Sequence, residues 1–268
     1  MDLQLQGKRA LVTGSTAGIG FAIATALARE GAAVVLNGRD AARVAQAVQR
    51  LQASAPQAQV SGVAADIATA AGCEQLARAC SGTGAAVDIL VNNFGIFDPQ
   101  PFEAIGDDAW QRFFDANLMS GVRLTRALLP AMQAAGWGRV VFINSESGVN
   151  PPTEMIHYGM SKAAQLSVSR GLAQHCAGTG VTVNAVLPGP TRTEGVEAFL
   201  GKLAAEQGVD VAEAERRFFR EARPTSLVKR FVDPSEVAAL VAYVCSPLSA
   251  ATTGAALRVE GGILSSMC

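Results

Sequence analysis

The chain has 268 residues, of which 49% are hydrophobic and 17% are charged, and its formal net charge at pH 7 is -1. This composition is typical of a globular protein with a sizeable core, and it excludes a disordered or fibrous chain. The near-neutral charge offers no broad basic surface, so we expect a small-molecule partner and neither a nucleic acid nor a membrane.

Short β-branched runs alternate with longer alanine-rich helical stretches. In chain order, the predicted strands are RALVT, AAVVLN, AQVSGVAA, VDILVNN, GRVVFIN, VTVNAVLP and AALRV. Strands that are apolar on both faces and joined by helices predict a parallel sheet with helices on both sides. We therefore expect the α/β class, with one doubly wound sheet, and a single domain over residues 1–268.

The alternation of predicted strands and helices is interrupted between residues 191 and 231. Two predicted helices, around 196–206 and 211–222, follow each other there without an intervening strand. We interpret this segment as a helical lid over a substrate site. After it, Asp233 is predicted to cap the helix that contains SEVAALVAYV.

The termini and the cysteines give expectations about location and chemistry. No basic, apolar leader opens the sequence and no run of about 18 apolar residues occurs in it, so we expect a cytoplasmic protein. The five cysteines form no CxxC pair and are odd in number, which indicates reduced thiols and no metal site. They are Cys73, Cys80, Cys176, Cys245 and Cys268.

A glycine-rich turn, TGSTAGIG from Thr13 to Gly20, joins the first strand to a helix. Glycines permit a tight turn and a close approach of the backbone, and the free amides at a helix N-terminus attract a pyrophosphate. The GxxxGxG spacing in this context favours a Rossmann-type dinucleotide site over a simple turn. The predicted cofactor-binding residues in it are Gly14, Ser15, Thr16, Gly18, Ile19 and Gly20.

The end of the second strand indicates the cofactor preference. Where NAD-binding folds place a carboxylate, this chain has Gly38 followed by Arg39. A guanidinium matches a 2'-phosphate in charge and geometry, so we predict NADP(H), with NAD(H) as the alternative. Asp40 is interpreted as the cap of the next helix, and an ordinary surface arginine is the alternative interpretation of Arg39.

Two later strands end in further candidates for cofactor binding. Asp66 and Ile67 are predicted at the edge of the adenine. The stretch NNFG at 92–95, which contains Asn93 and Gly95, is predicted to line the adenine ribose.

Tyr158, one of only two tyrosines, stands four residues before Lys162 in a predicted helix, so the two side chains share a face. A phenol with a pKa of about 10 is a poor base at neutral pH, and a neighbouring ammonium lowers that pKa. We therefore predict Tyr158 as a general acid or base. Ser145, at the end of the strand GRVVFIN, is predicted to bind the same substrate oxygen, with Ser147 as the alternative.

Asn117 lies in the interior of the predicted helix DDAWQRFFDANLMSGVRLTRALL, where asparagine is unfavourable on propensity. This position indicates a hydrogen-bonding role. A Tyr-x-x-x-Lys pair by itself arises often by chance. Four such features in register point to an active site.

The motifs together resemble the short-chain dehydrogenase/reductase family, in its compact, 3-oxoacyl reductase-like branch, over nearly the entire chain. The matching pieces are TGSTAGIG at 13–20, Asp66, NNFG at 92–95, Asn117, Ser145, Tyr158 with Lys162, and PGPTRT at 188–193.

The resemblance implies an enzyme that interconverts a carbonyl and an alcohol by hydride transfer at a nicotinamide. It implies a catalytic tetrad in which Tyr158 transfers the proton and Ser145 polarises the carbonyl. Lys162 would bind the nicotinamide ribose and lower the pKa of Tyr158, and Asn117 would position a relay water. It also implies a homo-oligomer, a tetramer or a dimer, and contacts to the nicotinamide end from Pro188, Gly189, Thr191 and Thr193.

Two residues depart from the family pattern. Phe94 stands where the family usually has a small alanine, and we expect it to narrow the cofactor cleft or to line the substrate pocket. Ala17 occupies a place where some NADP-using relatives carry a basic residue, which leaves phosphate selection to Arg39 alone.

The substrate stays open among 3-oxoacyl thioesters, small ketones, polyols and cyclic alcohols, and a catalytically silent dinucleotide-binding sensor is the alternative function. We expect a mostly apolar substrate pocket. Its candidate lining residues, each of which could instead pack within the lid, are Phe94, Phe97, Val149, Met155, Ile156, Phe199, Leu203, Phe218 and Phe219. The predicted lid also contains three arginines that either form an anion site or belong to a solvated ion-pair face. They are Arg216, Arg220 and Arg223. His157 is expected to be a half-exposed structural residue, and a contact with the substrate beside Tyr158 is the alternative.

Overall fold

The computed structural model describes residues 2–82 and 86–267. Seven strands form one parallel sheet in the order β3-β2-β1-β4-β5-β6-β7, which confirms the predicted α/β class and all seven predicted strands. The strands span β1 Arg9–Val12, β2 Ala33–Gly38, β3 Val60–Ala64, β4 Ile89–Asn92, β5 Gly138–Ile143, β6 Val181–Pro188 and β7 Ala256–Val259.

Helices cover both faces of the sheet. The α-helices span α1 Gly18–Arg29, α2 Ala41–Ser54, α3 Ala70–Ser81, α4 Asp107–Phe113, α5 Ser120–Ala134, α6 Ile156–His175, α7 Glu194–Gln207, α8 Val211–Glu221 and α9 Pro234–Cys245.

Two hydrophobic clusters hold these helices on the sheet, one on each face. One joins β1 to α1 and α9 through residues such as Leu27 and Val241. The other joins the sheet to α3 and α5 through residues such as Leu76 and Leu128. The strands β4, β5 and β6 are buried along their whole length and are mostly apolar, as expected for parallel strands covered on both sides. The edge strand β3 is partly exposed instead.

The direction of strand order reverses at β1, which lies between β2 and β4. In register, Val12 of β1 pairs with Leu36 of β2 and Val91 of β4. The carboxyl ends of these strands therefore open onto one crevice, the place where open α/β sheets bind ligands. The glycine turn, Arg39 and the NNFG stretch all follow directly from these strand ends.

The helix predicted around Asn117 is not a single α-helix. After α4 the chain adopts a π-helical stretch, Phe114–Met119, before it continues as α5. The stretch widens the helix by a residue at the point where Asn117 faces inward, and such stretches occur often at functional sites.

The segment 191–231 contains α7 and α8 and has a small apolar core of its own, formed by Leu200, Phe219 and Phe231. A parallel bridge between Thr191 and Val232 joins the two ends of the segment. The helices there agree with the predicted ones to within two residues. Asp233 caps α9 as predicted, with Glu236 completing a capping box.

Within the described residues, none of the helices has the length and apolarity needed to cross a membrane. The same residues contain no group of three or more histidine, cysteine or acidic side chains that could hold a metal ion. Cys268 lies outside the described residues. The other four cysteines are buried, and none of them forms a disulfide.

Candidate active site

The turn after β1 requires glycine. Gly14 and Gly18 have φ of 59° and 56°, in the left-handed region that favours glycine. A Cβ at Gly20 would lie 2.6 Å from the carbonyl oxygen of Gly14. The Asn93 side chain donates to the carbonyl oxygens of Thr13 and Gly14, at 2.9 and 3.0 Å, so the end of β4 supports the turn.

The residues of the turn divide between two cavities and the protein interior. Gly14 and Thr16 line a groove below the turn, and Ile19 lines a second cavity under the lid segment. Ser15 is fully buried, and its hydroxyl donates to Val12 and accepts from the amide of Asn37. The Ser15 side chain is therefore used inside the protein, and its predicted cofactor contact remains a prediction.

The groove has a volume of about 550 Å³. Five residues predicted from the sequence meet in it: Gly14, Thr16, Arg39, Asp66 and Ile67. Phe94 lines the same groove, and its predicted narrowing of a cofactor cleft stays a prediction. Asp40 caps α2 by accepting a hydrogen bond of 2.8 Å from the amide of Arg43, which confirms that prediction.

Arg43 is a groove residue that the sequence analysis missed. Arg43 lies in the first turn of α2, whereas Arg39 lies just before Asp40, the N-cap of that helix. Both arginines line the groove. A second arginine four residues after Arg39 was the available signal.

Lys162 lies behind Tyr158 on α6, as the spacing predicts, with its Nζ 5.7 Å from the centre of the Tyr158 ring. Only 3% of Lys162 is exposed, and its ammonium donates a hydrogen bond of 2.9 Å to the carbonyl oxygen of Ile143. Burial lowers the pKa of Lys162 to about 8, and the Glu146 carboxylate opposes this shift.

The pKa of Tyr158 moves in the direction opposite to the predicted one. Burial raises it, a hydrogen bond with Ser145 lowers it, and the charge of Glu146 raises it further. Because removal from water penalises the phenolate more than the neighbouring groups favour it, Tyr158 is a neutral phenol at pH 7 in this structure.

Ser145 follows β5 and contacts Tyr158 from the floor of the second cavity. Its Oγ accepts from the amide of Ser147 at 3.1 Å and lies 2.5 Å from Oε2 of Glu146. Ser147 lines the same cavity. Glu146 is buried between these serines, and the sequence analysis gave it no role although a carboxylate beside a catalytic hydroxyl was visible in INSESG.

Asn117 is fully buried and all its polar groups are bonded. Its side chain donates to the Ile96 carbonyl at 3.0 Å and accepts from the Ile96 amide at 2.7 Å. It also donates to Ser161 of α6, and its own carbonyl oxygen accepts from Gln165. Asn117 thus fastens the loop after β4 to α6, whereas its predicted relay water remains a prediction.

Gly95 lies where this fastening is tightest. A Cβ there would stand 3.2 Å from the side-chain oxygen of Asn117 and 3.6 Å from Nζ of Lys162. Any larger residue at 95 would therefore crowd two members of the predicted tetrad.

The second cavity, also of about 550 Å³, opens under the lid segment. Ser145 and Tyr158 lie at its floor, and the four residues predicted for the nicotinamide end line it as well: Pro188, Gly189, Thr191 and Thr193. Most of its wall is apolar, as predicted, with Phe97, Met155, Phe199, Leu203 and Phe218. Phe219 is buried in the lid core instead.

The lid arginines separate into two groups. Arg216 pairs with Glu213 and Arg220 pairs with Glu221, both on the exposed face of α8, in agreement with a solvated ion-pair face. Arg223 differs, because its side chain is only 14% exposed and lines the cavity under the lid.

His157 is fully buried, which contradicts the half-exposed position expected for it. Its ring packs 4.0 Å from that of Phe113 and 6.0 Å from that of Trp110, between α4 and α6. Burial lowers the pKa of His157, so the imidazole is held neutral. The residue therefore has a structural environment, and it is not among the residues that line the cavity under the lid segment.

Comparison with known proteins decides the family. A sequence model of the family described as short chain dehydrogenase matches residues 8–202. The chain belongs to the short-chain dehydrogenase family. It is therefore an oxidoreductase of the kind that acts on carbonyl and alcohol groups.

Several oxidoreductases match the chain over all or nearly all of its length. The uncharacterized oxidoreductase YvaG of Bacillus subtilis (strain 168) is 51% identical, with 100% of both chains covered. The D-beta-hydroxybutyrate dehydrogenase of Cupriavidus necator is 35% identical over 96% of this chain and 98% of its own. The crystal structure of L-sorbose reductase from Gluconobacter frateurii, complexed with NADPH and L-sorbose, matches with a TM-score of 0.94 and 32% identity over 100% of both chains.

Proposed function

We propose that this short-chain dehydrogenase is an NADP(H)-dependent enzyme that interconverts a ketone and a secondary alcohol, with Tyr158 as general acid or base. The observation that carries the proposal is the meeting of two hydroxyl groups, from Tyr158 and Ser145, at the floor of an apolar cavity. The cavity lies beside the groove below the glycine turn, and Phe97 borders both.

The groove suits a dinucleotide phosphorylated on its ribose. Gly14 and Gly18 give the turn its left-handed torsions, and the free amides at the start of α1 would bind the pyrophosphate of such a cofactor. Arg39 and Arg43 line the groove and supply two guanidinium groups that suit a 2'-phosphate. The NADPH found with the L-sorbose reductase supports the same assignment.

The residues of the cavity have separate roles in proton transfer. When bound, the nicotinamide supplies or accepts the hydride. Tyr158 carries its phenolic proton at neutral pH, so it donates this proton to the carbonyl oxygen during reduction. Ser145 binds the same oxygen, and Lys162, held by Ile143, places a positive charge behind the phenol that favours its anion once the proton has left.

The cavity wall favours a substrate with an apolar body. Phenylalanine and methionine side chains surround the space above the two hydroxyl groups, with α7 and α8 closing it on the outer side. We propose that residues 191–231 act as the lid of a single catalytic domain. The names of the relatives, a sorbose reductase and a hydroxybutyrate dehydrogenase, make small ketones and hydroxy ketones the first compounds to test.

The test is a screen of ketones and secondary alcohols by the absorbance of NADPH. Turnover of a ketone with NADPH supports the proposal. Tight NADPH binding without turnover of any compound would instead favour the dinucleotide-binding sensor.

Assembly and location complete the proposal. We expect a homo-oligomer, a dimer or a tetramer, in the cytoplasm. Light scattering measures the mass of the assembly, and a monomer at all concentrations would contradict this expectation.

A further inference from the structure

The carboxylate of Glu146 lies inside the proposed active site. Glu146 directly follows Ser145 and begins a short 3-10 turn, Glu146–Gly148. Only 7% of the residue is exposed, and it lines the cavity under the lid. Its Oε2 accepts a short hydrogen bond of 2.5 Å from Oγ of Ser145.

Three ionisable groups interact with Glu146, namely Arg223, Tyr158 and Lys162. Arg223, which follows the lid helix α8, places its Nε 4.0 Å from Oε1 of Glu146. The same guanidinium donates to Glu154 at 3.2 Å, so one positive charge is divided between two carboxylates. From α6, Tyr158 and Lys162 are both affected by the charge of Glu146. Burial raises the pKa of Glu146, and Ser145 and Arg223 oppose that shift.

The protonation of Glu146 decides which way the Ser145 hydroxyl points. An ionised carboxylate can only accept hydrogen bonds. The Ser145 hydroxyl then donates its hydrogen bond to Glu146 and has no second proton to donate to the substrate. A neutral carboxylic acid can donate to Oγ of Ser145, and the Ser145 hydroxyl is then free to donate to the carbonyl oxygen. The neutral form also removes a negative charge from the neighbourhood of an oxygen that becomes negative during reduction.

We propose that Glu146 is a positioning residue which, in its neutral form, donates to Ser145 and turns the Ser145 hydroxyl towards the substrate oxygen. The inference rests on the proposed carbonyl reduction and adds to it a carboxylic acid that acts through Ser145. Arg223 connects this acid to the lid and favours its ionised form.

The kinetic test is the pH profile of kcat/KM for ketone reduction. In the wild type, kcat/KM falls on the alkaline side about tenfold per pH unit as Glu146 ionises. In Glu146→Gln the amide is an uncharged donor to Ser145, so this fall disappears while activity at low pH is kept. Arg223→Met removes the charge that favours ionisation and shifts the fall to higher pH. The Arg223→Met variant also tests the proposal by itself if Glu146→Gln does not fold.

Two controls match these changes on the lid. Glu206→Gln removes an exposed carboxylate of α7, and Arg220→Met removes an exposed guanidinium of α8. Both should keep the wild-type pH profile. A Glu146→Gln profile that overlays that of the wild type, or an Arg223→Met profile no different from that of Arg220→Met, would overturn the proposal.

Infrared difference spectroscopy tests the same hydrogen bond without any turnover. A pH titration of the wild type should reveal the C=O stretch of one protonated carboxyl group that is absent from Glu146→Gln. This band should shift in Ser145→Ala, because the acid has lost its acceptor. An unshifted band in Ser145→Ala would contradict the inference, whereas a missing turnover with the expected band would count against the proposed function alone.

Discussion

Burial acts on Tyr158 and Lys162 in opposite directions. It raises the pKa of the phenol and lowers that of the ammonium to about 8, so Tyr158 is neutral at pH 7 while Lys162 is still mostly charged. A neutral phenol is the form that reduction of a ketone requires, whereas alcohol oxidation requires the phenolate. At neutral pH the site is therefore better prepared to donate a proton than to accept one.

Replacement of Tyr158 by phenylalanine removes the proposed acid and leaves the ring in place. We expect ketone reduction to fall by about 10²- to 10⁴-fold, the usual size of a general acid contribution. Binding of NADPH, measured by fluorescence, should change little. A reduction rate equal to that of the wild type would exclude Tyr158 as the acid.

The lowered pKa of Lys162 makes the stability of the fold depend on pH. A lysine whose folded pKa lies below its unfolded value of about 10.5 destabilises the fold at low pH, and this cost is relieved as pH rises through about 8. Between pH 7 and pH 9 we expect the wild type to gain about 1 kcal/mol relative to Lys162→Met. Urea unfolding at the two pH values measures the free energy of unfolding of both proteins. A stability difference between wild type and Lys162→Met that is equal at pH 7 and pH 9 would contradict the assigned pKa.

Arg39 carries the predicted choice of cofactor. Arg39→Ala should weaken NADPH binding by about ten- to a hundredfold, since hydrogen bonds to charged groups contribute about 1.5–3 kcal/mol, and it should leave NADH binding nearly unchanged. Arg43→Ala should act in the same direction. Arg29→Ala, at an exposed position of α1, is the control, and equal losses for NADPH and NADH would refute the assignment.

At the scale of elements, the lid has a core separate from those of the sheet. Phe219 is 2% exposed and packs against the rings of Phe218 and Phe231, at 5.1 and 5.0 Å between ring centres. This aromatic cluster is what holds α8 against α7 and the base of the lid. Damage to it should therefore loosen the lid before it affects the sheet.

Phe219→Ala tests this separation. Its cavity should destabilise the lid by about 3–5 kcal/mol, the usual cost of removing a buried phenylalanine. We expect faster proteolysis within α7 and α8 and a higher KM, with little change in the unfolding of the sheet. Phe199→Ala is the matched control because this ring is 43% exposed, and it should alter KM without opening the lid to protease.

The elements also mark how far the sequence could predict the fold. The strands and most helices follow from periodicity and caps, since these are local signals: Asp40, Thr193 and Asp233 each accept a hydrogen bond from the helix that they begin. The π-helical stretch at Asn117 has no such local signal. It depends on the packing of Asn117 between the loop after β4 and α6, which only the folded chain supplies.

The candidate site divides in the same way. Tyr158, Lys162, Ser145 and the glycine turn could be found because spacing and residue type carry their chemistry. The raised pKa of Tyr158 could not, because burial was unknown while the Lys162 charge was visible in the sequence. Glu146 is a member of the site only because the strand end and the lid enclose it.

At the scale of the whole molecule, the cysteines report on the integrity of both sheet faces. The four described cysteines are buried, and burial raises the pKa of each thiol, to about 11 for Cys73 and to about 12 for Cys245. The reactive form of a cysteine is the thiolate, so these groups should be inert in the folded protein.

Thiol labelling of a Cys268→Ser variant turns this into a measurement. We expect the four remaining thiols to react with a disulfide reagent only as fast as the protein unfolds, in native buffer at pH 8. Addition of urea should expose all four together. Rapid labelling of even one thiol in native buffer would show that part of the core opens without global unfolding.

The closed base of the lid has a consequence for the evolution of selectivity. The amide of Arg192 donates to Val232 at 2.8 Å and the amide of Val232 donates to Pro190 at 2.9 Å, so the chain leaves the sheet and returns to it at one place. We expect the segment between these bonds to tolerate changes of length and sequence without movement of Ser145 or Tyr158, provided that Arg223 and its contact to Glu146 are kept. Transplanting the corresponding segment from a relative should therefore transfer its choice of ketone while the reacting groups stay where they are.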